Sequence, residues 1–237
     1  MAEKPATVVI TGASQGIGEA IAKRFSHHPS AKLALVGRNE RNLLRVRDQV
    51  RQNGAAAERF VCDVSDKPQV ESLAESVQST LGVPDILINN AGAFIPNKFL
   101  DFSFEDFENL YAANLRSVFL VTKSFLPLMV KRKSGQIFNM GSIAGLDGYP
   151  GGTGYCAAKF GVTGLTRVLR EEMKTHGIKV TLIAPGPTFS PSWEGSGIPE
   201  DRMMPAGDIA RVIYEASILT GRTVMEEVVL NPQEGPL

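Results

Sequence analysis

The sequence contains little cysteine, little histidine and no excess charge of either sign. Two cysteines and three histidines occur among 237 residues; these are too few for a disulfide framework, and they lack the spacing of a metal site. Lysine plus arginine and aspartate plus glutamate both total 25, so the charge balance does not indicate a nucleic acid or an anionic membrane as partner. We therefore expect reduced thiols, no metal and no nucleic-acid partner.

Long hydrophobic runs are also missing. No stretch of about 18 apolar residues could span a bilayer, and the opening MAEKPATVVITG has an acidic residue and no extended apolar segment of the kind found in signal peptides. We expect a cytoplasmic protein without membrane contact. A length of 237 residues with 43% hydrophobic composition suits one α/β domain, so residues 1–237 are predicted to form a single domain.

What the sequence does contain is a regular alternation of short apolar runs and longer amphipathic stretches. The apolar runs are ATVVITG, KLALVG, AERFVCDV, PDILINNAG, GQIFNMGS, IKVTLIAPG and MEEVVLNP. They are continuous rather than alternating, as in parallel strands that helices cover on both faces. The order predicts a doubly wound parallel α/β sheet of about seven strands. Long helices are expected at about 104–133 and 154–176, and an irregular loop at about 190–206.

A glycine-rich turn, TGASQGIG, ends the first predicted strand. Glycines at such a junction let the backbone approach a ligand, and the following helix offers free N–H groups and its positive dipole end to a pyrophosphate. The turn lies at the first βα junction, which is the context that this motif requires. We interpret it as a dinucleotide site rather than a simple tight turn, with contacts from Gly12, Ser14, Gln15, Gly16, Ile17 and Gly18.

A tyrosine and a lysine are four positions apart in GYCAAKFG, at Tyr155 and Lys159. In a helix they would share one face, about 5–6 Å apart at Cβ. A lysine charge about 4 Å away, at an effective dielectric of about 20, supplies about 4 kcal/mol, enough to lower a tyrosine pKa by about three units. The pair is either a general acid tuned for proton transfer or two surface residues, and by itself it does not decide between them.

Together, these motifs resemble the short-chain dehydrogenase/reductase family. The family pattern T-G-x-x-x-G-x-G appears as TGASQGIG, N-N-A-G as residues 89–92, and Y-x-x-x-K as Tyr155 to Lys159. A serine, Ser142, lies thirteen residues before the tyrosine, and P-G follows the sixth predicted strand. The resemblance covers almost the whole chain and implies a Rossmann fold that transfers hydride between a nicotinamide cofactor and a small carbonyl or alcohol.

The resemblance also implies a role for each member of a catalytic set. Tyr155 would donate the proton, and Lys159 would lower its pKa and bind the nicotinamide ribose. Ser142 would hold the substrate oxygen, and Asn114 would fix a helix bend and a proton-relay water.

The end of the second strand distinguishes NAD from NADP in such folds. Here Arg38 follows Gly37 with no acidic residue beside it, and an arginine fork suits a 2′-phosphate. The family resemblance likewise implies NADP(H) as cofactor, whereas a role for Arg41 stays open. The further cofactor contacts that it implies are Asn39, Asp63, Val64, Asn90, Ala91, Gly92, Tyr155, Lys159, Pro185, Gly186, Thr188 and Ser190.

The loop at 190–206 lies where the family places its substrate loop. Trp193, Met203 and Met204 either line an apolar pocket or pack the loop against the core. The residues expected to contact substrate are Ser142, Tyr155, Phe94, Leu146, Tyr149 and Trp193.

Several activities remain open at this level. A small ketone or aldehyde, or the corresponding alcohol, is the expected substrate. Looser similarity at FSHHPSAKL and GRTVMEEVVLNP suggests a sepiapterin-reductase-like member, and a 3-oxoacyl-carrier-protein reductase is a further alternative. A protein of another class would sense NADP(H) without turnover. Because the family usually pairs its two long helices, a homodimer or homotetramer is expected.

Overall fold

The computed structural model describes residues 6–28, 30–193, 195 and 197–235. Seven parallel strands form one sheet in the order β3-β2-β1-β4-β5-β6-β7. The strand bounds are Thr7–Thr11 (β1), Lys32–Gly37 (β2), Ala56–Val61 (β3), Ile86–Asn89 (β4), Gly135–Met140 (β5), Ile178–Pro185 (β6) and Glu227–Leu230 (β7). The α-helices are Gly16–Phe25 (α1), Glu40–Gln52 (α2), Lys67–Leu81 (α3), Phe104–Tyr111 (α4), Ser117–Arg132 (α5), Thr153–Met173 (α6) and Ala206–Ser217 (α7). The predicted doubly wound Rossmann fold is confirmed.

Both faces of the sheet are buried, which explains the continuous apolar strands. Successive side chains of a strand point to opposite faces. In β1, Val8 and Ile10 join the core formed with α1, α2 and α7, whereas Val9 joins the core formed with α3, α5 and α6. Most positions of the inner strands are therefore apolar, and the few buried polar exceptions include Asn139 and Thr181.

The order of the strands creates a crevice at the carboxyl end of the sheet. β1 pairs with β2 on one side and with β4 on the other, so the connections leave β1 and β4 in opposite directions. Ligands of open parallel sheets bind at such a switch point. The glycine-rich turn after β1 and the NNAG segment after β4 both lie there.

The long helix predicted at about 104–133 is interrupted. A π-helical turn, Ala112–Arg116, joins α4 to α5. Inside it, Asn114 Nδ2 donates to the Leu110 carbonyl at 3.0 Å, which satisfies an acceptor that the altered helical ladder would leave free. Single π turns inside helices are frequent at functional sites. The helix predicted at 154–176 corresponds to α6 followed by a 3₁₀ turn, Lys174–His176.

The loop predicted at 190–206 contains two short 3₁₀ turns, Pro191–Trp193 and Glu200–Arg202, while its positions 194 and 196 lie outside the described residues. Met203 and Met204 are both buried, so these side chains pack the loop against the core. In the part of the chain that the structure covers, no helix is long and apolar enough to cross a membrane.

Candidate active site

The glycine-rich turn has a backbone that larger residues would not tolerate. Gly12 and Gly16 have φ values of +67° and +56°, in the left-handed region that favours glycine. Gly18 lies in the first turn of α1 directly against β1, and a Cβ there would overlap the carbonyl oxygen of Gly12. The close packing of helix on strand leaves the start of α1 pointing into the crevice.

The start of α1 can accept a phosphate. Its N-cap residue, Gln15, makes no side-chain capping hydrogen bond, so the Gln15 side chain does not occupy the first backbone N–H groups of the helix. In α3, by contrast, the Asp66 side chain accepts a hydrogen bond from the first turn. Free N–H groups and the helix dipole favour an anion at that point. Gln15 is exposed, whereas Ile17 packs against the core.

An ion pair supports the turn from behind. Arg45 donates to both carboxylate oxygens of Glu19, at 2.7 and 2.6 Å, and lies 3.4 Å from the carbonyl oxygen of Ser14. The hydrogen bond from Arg45 lowers the pKa of Glu19 more than partial burial raises it. Because Arg45 belongs to α2, these contacts connect the glycine-rich turn to that helix. The Ser14 side chain of the turn also lies near Gly37, at the end of β2.

Thr11, for which the sequence suggested no role, connects the two sides of the crevice. Its Oγ1 accepts from the backbone N–H of Asn90 at 2.9 Å and of Ala91 at 3.0 Å. In return, Asn90 Nδ2 donates to the carbonyls of Thr11 and Gly12 at 2.9 and 3.3 Å. The Asn90 side chain is thus occupied in fixing the glycine-rich turn to the end of β4. The motif threonine was the available signal, but its partners are 79 and 80 residues away.

The end of β2 presents a basic side chain to solvent. The Arg38 side chain is 79% exposed, and its Nη1 lies 3.9 Å from an Asp63 carboxylate oxygen. Burial raises the pKa of Asp63, but hydrogen bonds from Ser65 and the charges of Arg38 and Arg116 lower it further, so the net direction is down. Asp63 therefore stays ionised beside Arg38 and leaves most of the guanidinium available to a ligand.

Two other residues predicted to contact the cofactor near this edge, Asn39 and Val64, have structural roles. Asn39 caps α2, since its side chain accepts from the N–H of Asn42 at 3.0 Å. Val64 is buried in the core on the α3 side, so only its backbone could face a ligand. Arg41 is exposed.

Ser142 and Tyr155 meet at the carboxyl end of β5. Ser142 follows this strand, Tyr155 lies in the first turn of α6, and the Ser142 hydroxyl is close enough to the tyrosine to lower the pKa of Tyr155. Ser142 Oγ also accepts from the N–H of Ala144 at 3.2 Å and donates to the carbonyl of Pro185 at 3.3 Å. Ser142 therefore caps a 3₁₀ turn and contacts the tyrosine at the same time.

Lys159 lies one helical turn below the tyrosine and is buried. Its Nζ is 5.5 Å from the centroid of the Tyr155 ring and donates to the Met140 carbonyl at 2.8 Å. With 4% of its surface exposed, the ammonium has lost most of its hydration, and burial lowers the pKa of Lys159 to about 8. The predicted shared helix face is confirmed.

The predicted lowering of the tyrosine pKa is wrong for the chain by itself. Burial raises the pKa of Tyr155, and the hydrogen bond from Ser142 offsets only part of that. The reason is that Tyr155 itself is partly removed from water, while the Lys159 ammonium is directed to a backbone carbonyl. Tyr155 therefore holds its proton at neutral pH.

Asn114 completes the cluster. Its Nδ2 donates to the Ala93 carbonyl at 2.9 Å and its Oδ1 accepts from the Ala93 N–H at 3.3 Å. A Cβ built on Gly92 would lie 2.6 Å from Asn114 Oδ1 and 3.8 Å from Lys159 Nζ. The two side chains therefore flank the same glycine, which has to be small for both to approach.

The segment after β6, residues 186–190, borders the crevice next to the glycine-rich turn. The Gly186 N–H donates to the Leu230 carbonyl at 2.7 Å, and Thr188 Oγ1 donates to the Gly186 carbonyl at 3.0 Å. A Cβ on Gly16 would lie 3.2 Å from Ser190 Cβ. Ser190 is thus placed over the glycine-rich turn, while the hydroxyl of Thr188 is used locally.

Aromatic rings stand beside the tyrosine. Phe94 makes an edge contact with the Tyr155 ring at 5.0 Å between centroids, and Trp193 lies 6.5 Å from Phe94. Tyr149 is partly exposed, and burial of its hydroxyl raises its pKa to about 12. Leu146 instead packs against a small buried cluster that includes Val162, and its contact with substrate stays a prediction.

Comparison with known proteins agrees with this geometry. Residues 6–197 match the family described as short chain dehydrogenase. The sepiapterin reductase of Chlorobaculum tepidum is 32% identical over 240 residues, which cover 97% of each chain. The FabG 3-oxoacyl-[acyl-carrier-protein] reductase of Haemophilus influenzae is 32% identical over 231 residues, 91% of this chain and 94% of that protein. An alcohol dehydrogenase from Thermococcus sibiricus, solved with 5-hydroxy-NADP, superposes with a TM-score of 0.90 at 26% identity and 97% coverage of both chains.

Proposed function

The chain belongs to the short-chain dehydrogenase family of oxidoreductases, and from this premise we propose that it reduces a small ketone or aldehyde with NADPH, or oxidises the alcohol in reverse. The observation that carries the proposal is the convergence of Tyr155, Lys159, Ser142 and Asn114 at one crevice beside the glycine-rich turn.

The chain's own residues fit a dinucleotide. The left-handed glycines and the bare start of α1 suit the pyrophosphate. Arg38, exposed at the end of β2, suits a 2′-phosphate through charge-assisted hydrogen bonds, and the T. sibiricus enzyme was solved with an NADP derivative. Lys159 would bind the nicotinamide ribose, and the Thr188–Ser190 segment would cover the nicotinamide.

When bound, the cofactor supplies a hydride to the carbonyl carbon and is oxidised. Ser142 holds the substrate oxygen by a hydrogen bond. As the C=O π bond breaks, Tyr155 transfers its hydroxyl proton to that oxygen, and an alcohol results. The raised pKa of Tyr155 keeps the proton in place before the reaction, and the Lys159 ammonium, protonated below about pH 8, stabilises the phenolate formed. Asn114 holds the backbone at Ala93 and would position a relay water through which the proton is replaced.

The test is NADPH oxidation followed at 340 nm with a panel of ketones, aldehydes, a 3-oxoacyl thioester and sepiapterin. We expect turnover of at least one small carbonyl. Tyr155→Phe keeps the ring and removes the hydroxyl, so it should lose about 100-fold or more in kcat/KM, the usual size of a general acid contribution, while still binding NADPH. A chain that binds NADPH and reduces none of these compounds would be the non-catalytic sensor, and a fully active Tyr155→Phe would refute the mechanism.

The two named alternatives correspond to specific relatives. Similarity to the C. tepidum sepiapterin reductase and to FabG is equal in identity, at 32%, so identity does not choose between them. The panel separates them, since each should show its highest kcat/KM with its own substrate.

The chain would act as a homodimer or homotetramer through α4, α5 and α6. Their outer surface is unusually apolar: Phe104 is 79% exposed, and Phe119, Phe160 and Val168 are about half exposed. Exposed apolar side chains on three neighbouring helices are typical of an interface, and a second copy would supply a matching apolar surface across a two-fold axis. Sedimentation of the purified chain would test this.

A further inference from the structure

Three aromatic side chains form a row that ends at the proposed proton donor. The rings of Phe94 and Tyr155 are 5.0 Å apart at 77°, and those of Phe94 and Trp193 are 6.5 Å apart at only 30°. Phe94 and Trp193 are therefore tilted by 30° to each other, and Phe94 lies between Trp193 and the tyrosine, which it meets in an edge contact.

Both rings are placed by backbone contacts within the site. Phe94 follows Ala93, whose N–H and carbonyl are both bonded to the Asn114 side chain. Trp193 ends a 3₁₀ turn in which its N–H donates to the Ser190 carbonyl at 2.9 Å, and Ser190 in turn packs over Gly16. The two rings thus belong to segments that the cofactor site itself holds in position.

The Phe94 and Trp193 rings are partly exposed and are therefore available to a ligand. Phe94 is 39% exposed, and Trp193 is partly exposed, and neither belongs to the buried core clusters. Aromatic faces beside a reacting centre bind flat π systems by offset stacking and edge contacts, beyond the area that they bury.

We infer that Phe94 and Trp193 are specificity-determining residues that select carbonyl compounds whose C=O is attached to a planar, uncharged ring, aromatic or conjugated. This inference rests on the proposed function. The substrate ring lies against the Phe94–Trp193 surface, and the attached carbonyl oxygen reaches the hydroxyls of Tyr155 and Ser142. Neither aromatic residue takes part in proton transfer.

The test compares two ketones that have the same carbon skeleton, acetophenone and cyclohexyl methyl ketone, with NADPH as reductant. The readout is the ratio of their KM values in the wild type, Phe94→Leu and Trp193→Leu, since leucine keeps an apolar side chain and removes the ring. Phe60→Leu, on the distant edge strand β3, is the matched control.

We expect the wild type to have a KM for acetophenone about tenfold below that for the saturated ketone. Each ring substitution should reduce this advantage about three- to tenfold, the range of aromatic pair contributions, with little change in kcat, whereas Phe60→Leu should leave the ratio as it is. A ratio that is the same in the wild type, Phe94→Leu and Trp193→Leu would overturn the inference and leave the carbonyl reductase proposal standing.

A binding measurement keeps the inference testable if no ketone is turned over. Trp193 is the only tryptophan, so fluorescence excited at about 295 nm reports on this side chain alone. In Tyr155→Phe with bound NADP⁺, acetophenone should quench the Trp193 fluorescence saturably. Adding Phe94→Leu to this variant should raise the apparent Kd about three- to tenfold. Linear, non-saturating quenching equal in both variants would refute the aromatic site, whatever the activity assay shows.

Discussion

Replacing Lys159 by methionine should stabilise the fold at neutral pH and remove activity. Burial lowers the pKa of Lys159 from 10.5 to about 8, and each pKa unit is worth about 1.4 kcal/mol. The buried ammonium therefore opposes folding by about 3 kcal/mol while it stays protonated. Methionine has a similar length without the charge, but it leaves the Met140 carbonyl without its 2.8 Å donor, which costs about 1–3 kcal/mol. The expected net gain at pH 7 is about 0–2 kcal/mol.

The pH dependence is the sharper test, because the lost hydrogen bond contributes almost equally at every pH. Below pH 8 both the folded and the unfolded chain carry the Lys159 proton, and the destabilisation is fully present. Between about pH 8 and 10.5 the unfolded chain binds one proton more than the folded chain, so the unfolding free energy of the wild type rises relative to Lys159→Met by up to about 1.4 kcal/mol per pH unit. The advantage of the variant should therefore shrink, or reverse, by about 3 kcal/mol in total over that window.

Urea unfolding of both proteins, followed by circular dichroism at equal concentration from pH 6.5 to 10.5, measures this difference. Lys131→Met, at an exposed position near the end of α5, controls for the general effect of removing a positive charge. A stability difference between the wild type and Lys159→Met that stays constant across the whole pH range would show that the ammonium is not destabilised by burial, and the proposed state of the active site would have to be abandoned.

Three further predictions concern the cofactor and the interface. Arg38→Asp should shift the preference in kcat/KM from NADPH toward NADH by about tenfold or more, as expected for the loss of a charge-assisted contact worth about 1.5–3 kcal/mol; an unchanged ratio would rule out this 2′-phosphate site. Gly18→Ala should weaken NADPH binding and lower the unfolding free energy by about 1–3 kcal/mol, because the added Cβ overlaps the carbonyl of Gly12; the exposed helical Gly207→Ala, with nothing near its added Cβ, should be neutral or stabilise by up to about 1 kcal/mol, and equal losses in both would contradict the steric argument. Phe104→Glu should convert the assembly to smaller species in analytical ultracentrifugation, since a charge replaces a side chain that a second copy would cover; an unchanged sedimentation coefficient would place the interface elsewhere.

The parallel strands and the cofactor turn could be predicted from local patterns. Continuous apolar runs such as KLALVG predict buried parallel strands because period and hydrophobicity are properties of a few neighbouring residues. The same holds for TGASQGIG, whose three glycines lie within seven residues of one another, and for Tyr155 and Lys159, which one turn of α6 places on the same face. These features depend on residues that are close in sequence, so the sequence by itself determined them.

The environment of those residues was decided only by the tertiary structure. The direction of the Tyr155 pKa depends on how far α6 and its neighbours remove the hydroxyl from water, and no local pattern contains that quantity. A buried network shows the same limit: Asn89 Nδ2 donates to Thr122 Oγ1 and to Asn139 Oδ1 at 2.9 and 2.8 Å, and Asn139 Nδ2 donates to Thr166 at 3.0 Å.

These partners are 27 to 50 residues apart and belong to β4, β5, α5 and α6, so their contacts exist only once the sheet has formed. The contact between Phe94 and Trp193 is also long-range, because Phe94 follows β4 and Trp193 follows β6. Burial and long-range contact are properties of the assembled layers, and they set the electrostatics and the shape of the site that the local motifs had placed at the sheet edge.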